Sequence, residues 1–105
     1  MNELGQTAAA VALVNSTTRA RAFAGGTPKP IAAATQQQFR DALLQERLFE
    51  LTAEGKRRQD LIRMGKYTTG TWAWVTRPTP AYKILMPIPQ PELNNNPLLV
   101  QNLGY

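Results

Sequence analysis

Two acidic side chains on one predicted helix are spaced as a pair of carboxylates that could do acid–base chemistry. Glu46 and Glu50 are four residues apart, so a helix places them on one face. Glycoside hydrolysis needs two carboxyl groups on either side of the bond that breaks. Like charges at this spacing repel each other unless a cation lies between them, and Arg19, Arg21 or Arg57 would serve. We therefore interpret both carboxylates as partners in ion pairs between helices, and we predict that the chain is not an enzyme.

Aromatic rings in the second half of the chain are the side chains best suited to bind a sugar. Trp72 and Trp74 lie in a segment rich in glycine and threonine, with Tyr67 before them and Tyr82 after them. The flat face of such a ring packs against the C–H face of a pyranose. We predict Trp72, Trp74 and Tyr82 as ligand-binding residues. The alternative is a structural role, in which these rings cover the helices or a domain outside the chain, and this is the commoner role of such rings.

Basic residues are concentrated in one segment of a chain whose net charge is +5. Between residues 56 and 66 only Asp60 opposes them. No aromatic ring is interleaved with them as a stacking platform for bases, so we interpret the segment as a solvated helix face with some ion pairs and expect no nucleic-acid partner. The alternative function is a small helical-repeat adaptor that binds a protein or nucleic acid through this segment. Its basic residues are Lys56, Arg57, Arg58, Arg63 and Lys66.

The absence of cysteine and histidine from the 105 residues excludes several classes of site. Disulfides, Cys/His zinc sites and catalytic systems that use imidazole all need one of these residues. The glycine pair Gly25-Gly26 lacks the spacing of a phosphate-binding loop. We therefore predict no catalytic residue, no metal site and no cofactor.

The first element that positions these side chains is a predicted helix from Asn2 to Phe23. Apolar residues recur along it at steps of three and four, as in Leu4, Ala8 and Val11, and its alanine content favours helix. Gly25-Gly26 ends it. Small side chains on its apolar face suit close packing against a second helix.

Two more helices are predicted before residue 66. Thr35 and Gln38 form a capping-box pattern that begins the second helix. Gly55 interrupts it, and a third helix over residues 56–64 ends at Gly65. Three large apolar residues on these helices are expected in the core: Phe39, Phe49 and Met64.

An irregular tail is predicted for residues 67–105. Six of the eight prolines lie between Pro78 and Pro97, and each restricts the residue before it. Within the tail we predict an extended segment over residues 82–86 and one helical turn that begins at Pro91. Five apolar side chains of the tail are expected to pack along the helices: Leu85, Ile88, Leu93, Leu98 and Leu99.

Four segments in order resemble the C-terminal region of the SusD-like (SusD/RagB) outer-membrane nutrient-binding lipoproteins. The first is LVNSTTRARA over residues 13–22. The second begins with FRDALLQERLFEL at Phe39 and continues through Glu54-Gly55 to the pattern RxDLxR over residues 58–63. The third and fourth are LMPIPQxE over residues 85–92 and the pattern NPxxxQNxGY that ends the chain. One departure is the polar run KRRQ over residues 56–59, where family members often have an aromatic residue.

The resemblance implies a fragment of a larger α-helical fold built from tetratricopeptide-like helix pairs. Residues 1–66 would be its helical part, and residues 67–105 a tail that packs on the helices. It implies a protein without catalysis that binds an oligosaccharide or other nutrient and delivers it to a SusC-like TonB-dependent transporter.

The same resemblance implies that the protein lies at the cell outer membrane. The family is anchored there through a lipid on an N-terminal cysteine, and the sequence shows neither that cysteine nor a signal peptide. We therefore expect the 105 residues to be the end of a longer, surface-exposed lipoprotein.

Overall fold

The computed structural model describes residues 1–70 and 77–105, and these form helices and turns without a β-strand. The predicted all-α fold class is confirmed. Contacts divide the chain into two compact units: unit 1 is Met1–Arg57 and unit 2 is Arg58–Tyr105. Each unit is described by itself.

Unit 1 consists of a first helical run, a loop and one long helix. The run comprises α1 (Thr7–Val14), a π-helical turn (Asn15–Arg19) and α2 (Ala20–Ala22). The long helix is α3 (Gln36–Glu50), and it contacts α1.

The predicted helix from Asn2 is interrupted near its start. Gly5 adopts a left-handed conformation with φ 77°, which ends a short 3-10 turn (Asn2–Leu4) before α1 begins. The buried Asn2 instead joins the start of α3: its Nδ2 donates to the carbonyl of Gln36 at 3.2 Å, and Nε2 of Gln36 donates to the carbonyl of Asn2 at 2.9 Å. This exchange ties the first residues of the chain to the long helix.

The π-helical turn has a local chemical cause in two hydroxyl side chains. Thr17 donates to the carbonyl of Leu13 at 2.7 Å, and Ser16 donates to the same carbonyl at 3.1 Å. Such side-chain bonds compete with the backbone ladder and loosen a helix locally. The widened turn carries Asn15 and Arg19 at its two ends.

The beginning of α3 confirms the predicted capping box. The backbone N–H of Gln38 donates to Oγ1 of Thr35 at 3.2 Å, and Oε1 of Gln38 accepts from the N–H of Thr35 at 3.1 Å. The helix ends at Glu50, before the expected interruption at Gly55. Thr52 donates its hydroxyl to the carbonyl of Leu48 at 2.7 Å, and Ala53 has φ 68°, so the chain has already left the helical region.

The core of unit 1 is small, and one predicted core residue lies outside it. Phe39 is 4% exposed, as expected, and Ala10 and Leu44 are also buried. Phe49 is 61% exposed, so its placement in the core was wrong. Five residues after the buried Leu44, it lies about 140° from Leu44 around the helix axis, outside the arc that runs from Glu46 through Phe39 to Leu44.

The helix that follows, α4 (Arg57–Arg63), ends at Gly65 as predicted. Gly65 has φ 66°. Its N–H donates to the carbonyl of Ile62 at 3.0 Å, and the N–H of Lys66 donates to the carbonyl of Leu61 at 2.8 Å. These two bonds are the Schellman arrangement, which satisfies carbonyls left over at a helix end. The Leu61 side chain is fully buried, whereas Met64 is half-buried.

The rest of unit 2 is irregular apart from two short helical segments. The extended segment predicted for residues 82–86 is wrong, because a 3-10 turn (Ala81–Ile84) follows Pro80, whose carbonyl accepts from the N–H of Lys83 at 3.0 Å. The predicted turn at Pro91 is confirmed as α5 (Gln90–Asn95).

Side-chain amides hold the end of the tail to the proline-rich segment before α5. Gln101 exchanges two hydrogen bonds with the backbone of Ile88, at 2.8 and 2.9 Å, and Nδ2 of Asn102 donates to the carbonyl of Met86 at 2.7 Å. Prolines cannot donate from the backbone, so side chains supply the cross-links.

The burial of the tail's apolar side chains differs from the expectation that all five pack. Ile88 and Leu93 are half-buried, whereas three leucines are exposed. The exposed ones are Leu85, Leu98 and Leu99.

Replacing Thr35 by alanine should lower the free energy of unfolding by about 1 kcal/mol, because the N–H of Gln38 loses its acceptor. Urea unfolding followed by circular dichroism measures this loss. Thr35→Ser is the matched control, since it keeps the hydroxyl and should stay close to the parent chain. Equal losses for both variants would show that the cap does not stabilise α3.

Candidate functional site

Two arginines of the first helical run reach two carboxylates of α3. Nη2 of Arg19 lies 2.8 Å from Oε2 of Glu46, and Arg21 pairs with Glu50. The Arg19 and Glu46 side chains are 19% and 6% exposed, whereas that of Arg21 is 73% exposed. The structure thus brings together the residues that the sequence identified as ion-pair partners between helices.

These pairs occupy the carboxylates that could have done acid–base chemistry. Glu46 and Glu50 also line a groove of about 210 Å³, but each carboxylate faces a guanidinium of the other helix. They lie one turn apart on a single helix rather than on either side of a substrate-sized gap. The arrangement favours a structural role for both.

Arg57, the third cation considered for these carboxylates, has another partner. Its Nη1 donates to the carbonyl of Leu44 at 2.8 Å, which ties the chain after α3 back to the middle of that helix. Arg57 therefore uses its charge on backbone within unit 1.

Arg58, in unit 2, also donates to backbone. One of its nitrogens, Nη2, donates to the carbonyls of Lys83 and Ile84 at 2.7 and 2.9 Å, and its guanidinium lies 5.4 Å from the centre of the Tyr67 ring. Two of the five cations of the basic segment thus hold protein backbone, whereas Lys56 and Arg63 are exposed.

Among the predicted ligand-binding aromatics, Trp72 and Trp74 lie outside the described residues. Tyr82 is described and is partly exposed. Its ring meets that of Tyr105 edge-on, with centroids 5.1 Å apart, and the Tyr105 hydroxyl donates to the carbonyl of Leu85 at 2.9 Å. A Cβ at Gly104 would lie 2.5 Å from Cγ of Tyr82, so glycine is needed for this close packing. Tyr105 is thus a residue of this cluster that the sequence analysis did not single out.

A cleft of about 350 Å³ opens between the first helical run and the loop that follows it. Arg19 and Lys29 both approach Phe23, and the guanidinium carbon and the ammonium nitrogen each lie 5.5 Å from its ring centre. Asn15 fixes the loop, because its side chain donates to the carbonyl of Ile31 at 3.0 Å and accepts from the N–H of Ile31 at 2.8 Å. The cleft is lined by Asn15, Arg19, Ala20, Phe23, Gly25, Gly26, Pro28, Lys29 and Pro30.

The sequence pattern did not predict this cleft. Its loop residues follow no helical or alternating period, so patterning gave no signal. The available signal was the short run from Phe23 to Pro30, in which two glycines turn the chain and two prolines flank a lysine.

One exposed carboxyl has a shifted pKa. Nε of Arg40 donates to Glu3 at 2.9 Å, and this hydrogen bond holds the pKa of Glu3 below its ordinary value. The pair therefore persists to lower pH than an ordinary carboxylate would allow.

Residues 1–70 and 77–105 contain neither a metal-ligand cluster nor a membrane-spanning helix. Within them no group of three or more Asp and Glu side chains is placed to hold a metal ion. No helix in these ranges has the length and apolar character needed to cross a membrane.

Comparison with protein families gives a match to the model of the SusD family over residues 1–79. A SusD-like protein of Formosa agariphila is 38% identical in an alignment that covers 99% of this chain and 21% of that protein. A second SusD-like protein of the same organism is 33% identical over 100% of this chain and 21% of its own length.

The starch-binding protein SusD of Bacteroides thetaiotaomicron is 36% identical over 60% of this chain and 13% of its own length. The chain thus spans about a fifth or less of these curated relatives. No solved structure matches it.

Glu46→Gln should destabilise the chain by roughly 3 kcal/mol, because it leaves the Arg19 guanidinium, largely shielded from water, without its counter-charge. Glu50→Gln is the matched control on the same helix. Its partner Arg21 is largely exposed, so the free energy of unfolding of Glu50→Gln should fall by less than about 1 kcal/mol. Chemical unfolding of both variants measures the difference, and equal losses would contradict the structural role assigned to the buried pair.

Proposed function

Because the chain belongs to the SusD family, we propose that it is part of a protein that binds an oligosaccharide or another nutrient at the cell surface without catalysis. The family match over residues 1–79 is the observation that carries this proposal. One relative is named a starch-binding protein, which supports a carbohydrate as the nutrient.

The proposal includes delivery of the bound nutrient to a SusC-like TonB-dependent transporter in the outer membrane. The protein would reach that membrane through a lipid anchor outside the 105 residues. The resemblance of four ordered segments to the C-terminal region of the family supports this role.

The absence of catalysis is supported by how the chain uses its carboxylates. Glu46 and Glu50, the pair best spaced for acid–base work, face arginines of the neighbouring helix. Glycoside hydrolysis needs a carboxyl group on either side of the bond that breaks, and these two lie one turn apart on a single helix.

We assign direct contact with the saccharide to Trp72, Trp74 and Tyr82. The chemistry of their side chains supports this, since each offers an aromatic face to the C–H face of a sugar ring. The Tyr82 ring is partly exposed, Gly104 packs against it, and the Tyr105 ring meets it at nearly a right angle. A ring fixed in this way loses little freedom when a ligand stacks on it.

The contacts of Arg57 and Arg58 weigh against the adaptor alternative. Both guanidinium groups donate to backbone carbonyls of the protein. A phosphate would have to compete with these hydrogen bonds.

The 105-residue chain should bind maltoheptaose weakly, and Trp72→Ala and Trp74→Ala should each weaken binding about tenfold, because each removes one stacking face. Ligand-observed nuclear magnetic resonance measures such binding. Phe49→Ala is the control, since it removes an exposed ring that is not assigned to the ligand.

The same titration at rising salt separates the two functions. Sugar stacking should change little with ionic strength, whereas phosphate binding should weaken steeply. Binding of an oligonucleotide with such a steep salt dependence, and none of maltoheptaose, would overturn the proposed function in favour of the adaptor.

A further inference from the structure

The cleft around Phe23 concentrates positive charge next to an apolar surface. Its lining contains two cations, Arg19 and Lys29, and no aspartate or glutamate. The charge of Arg19 is already matched by Glu46, 2.8 Å away. Among the described residues, Lys29 has no carboxylate within ion-pair distance, so its charge is the unmatched one in the cleft.

Both cations lie near one aromatic ring, although Lys29 is exposed. Each lies 5.5 Å from the centre of the Phe23 ring, a distance at which the ring attracts a cation. The ring therefore keeps the ammonium of Lys29, the cation without a carboxylate partner, beside apolar surface, where a ligand anion would pair with it.

The walls of the cleft are fixed by hydrogen bonds within unit 1. Asn15 clamps the loop by pairing with both backbone groups of Ile31, and Glu46 holds Arg19. Gly25, with φ 79°, turns the chain from the helical run into the loop. A cleft that is already formed costs little ordering when a ligand enters.

The size and surface of the cleft suit one ring of a saccharide. A volume of about 350 Å³ lies at the lower end of the range for small-molecule sites. Phe23, Pro28 and Pro30 supply apolar surface for the C–H face of a pyranose. Lys29 supplies a charge for an acidic substituent on the same ring.

We propose that this cleft binds an acidic saccharide, with the carboxylate of a uronic acid residue paired to Lys29 and the sugar ring packed on Phe23 and the adjacent prolines. The inference rests on the proposed saccharide binding and adds to it a second contact with a stated substrate class. The aromatic residues assigned above carry no charge, so among the contacts assigned to the saccharide the one with Lys29 distinguishes acidic from neutral sugars.

Trigalacturonate and its methyl ester are the probes that test this inference on the 105-residue chain. The ester has the same sugar rings without the negative charges. Trigalacturonate should bind about tenfold more tightly than its ester at low salt, because a charge-assisted hydrogen bond is lost on esterification. Chemical-shift titration of the labelled chain measures both affinities and identifies the residues that respond.

Substitutions of lysine locate the effect. Lys29→Gln should abolish the preference for trigalacturonate over the ester, and Lys29→Arg should retain most of it because the charge remains. Lys56→Gln is the matched control, since it removes the same charge at an exposed position outside the cleft. Phe23→Leu should weaken both probes, because the aromatic face is lost while an apolar side chain stays.

Three results would overturn the inference. These are equal affinity for trigalacturonate and its ester, equal effects of Lys29→Gln and Lys56→Gln, or inorganic phosphate competing as well as the uronide. The proposed function fails separately, when maltoheptaose gives no binding that depends on Trp72 and Trp74.

Discussion

The buried ion pair between Arg19 and Glu46 is the contact on which the arrangement of unit 1 depends. The helices there meet over few large apolar side chains, since Phe39 and Leu44 are the buried ones on α3. Taking these two charges out of water at this interface costs free energy unless they pair with each other. A helix pair with so small a core is therefore sensitive to the register that sets Arg19 opposite Glu46.

The π-helical turn and the loop after it follow from the same constraint. Hydroxyls of Ser16 and Thr17 take the Leu13 carbonyl and widen the turn that ends at Arg19. At the other end of that turn Asn15 fixes the loop. The π-helical turn thus positions both Arg19, which pairs with Glu46, and Asn15, which fixes the loop. The cleft proposed to take an acidic saccharide lies between them, so the structural pair also shapes the candidate site.

What the sequence could predict was local chemistry with a fixed geometry. The Thr35–Gln38 capping box, the stop at Gly65 and the arginine partners of α3 each depend on residue types at short, defined spacings. The exposure of Phe49 and the 3-10 turn over Ala81–Ile84 depend on which other segments cover them, and periodicity carries no such information. The cleft was missed for a related reason, because Lys29 reaches Phe23 only through a loop closed by Asn15.

A double-mutant cycle on Arg19 and Glu46 tests most directly whether this ion pair stabilises unit 1. The variants are Arg19→Met, Glu46→Gln and their combination, with the free energy of unfolding measured for each. We expect a coupling of about 2 kcal/mol or more, with the double variant more stable than the two single losses imply, because no charge is left without its partner. Losses that add to within about 0.5 kcal/mol would contradict it.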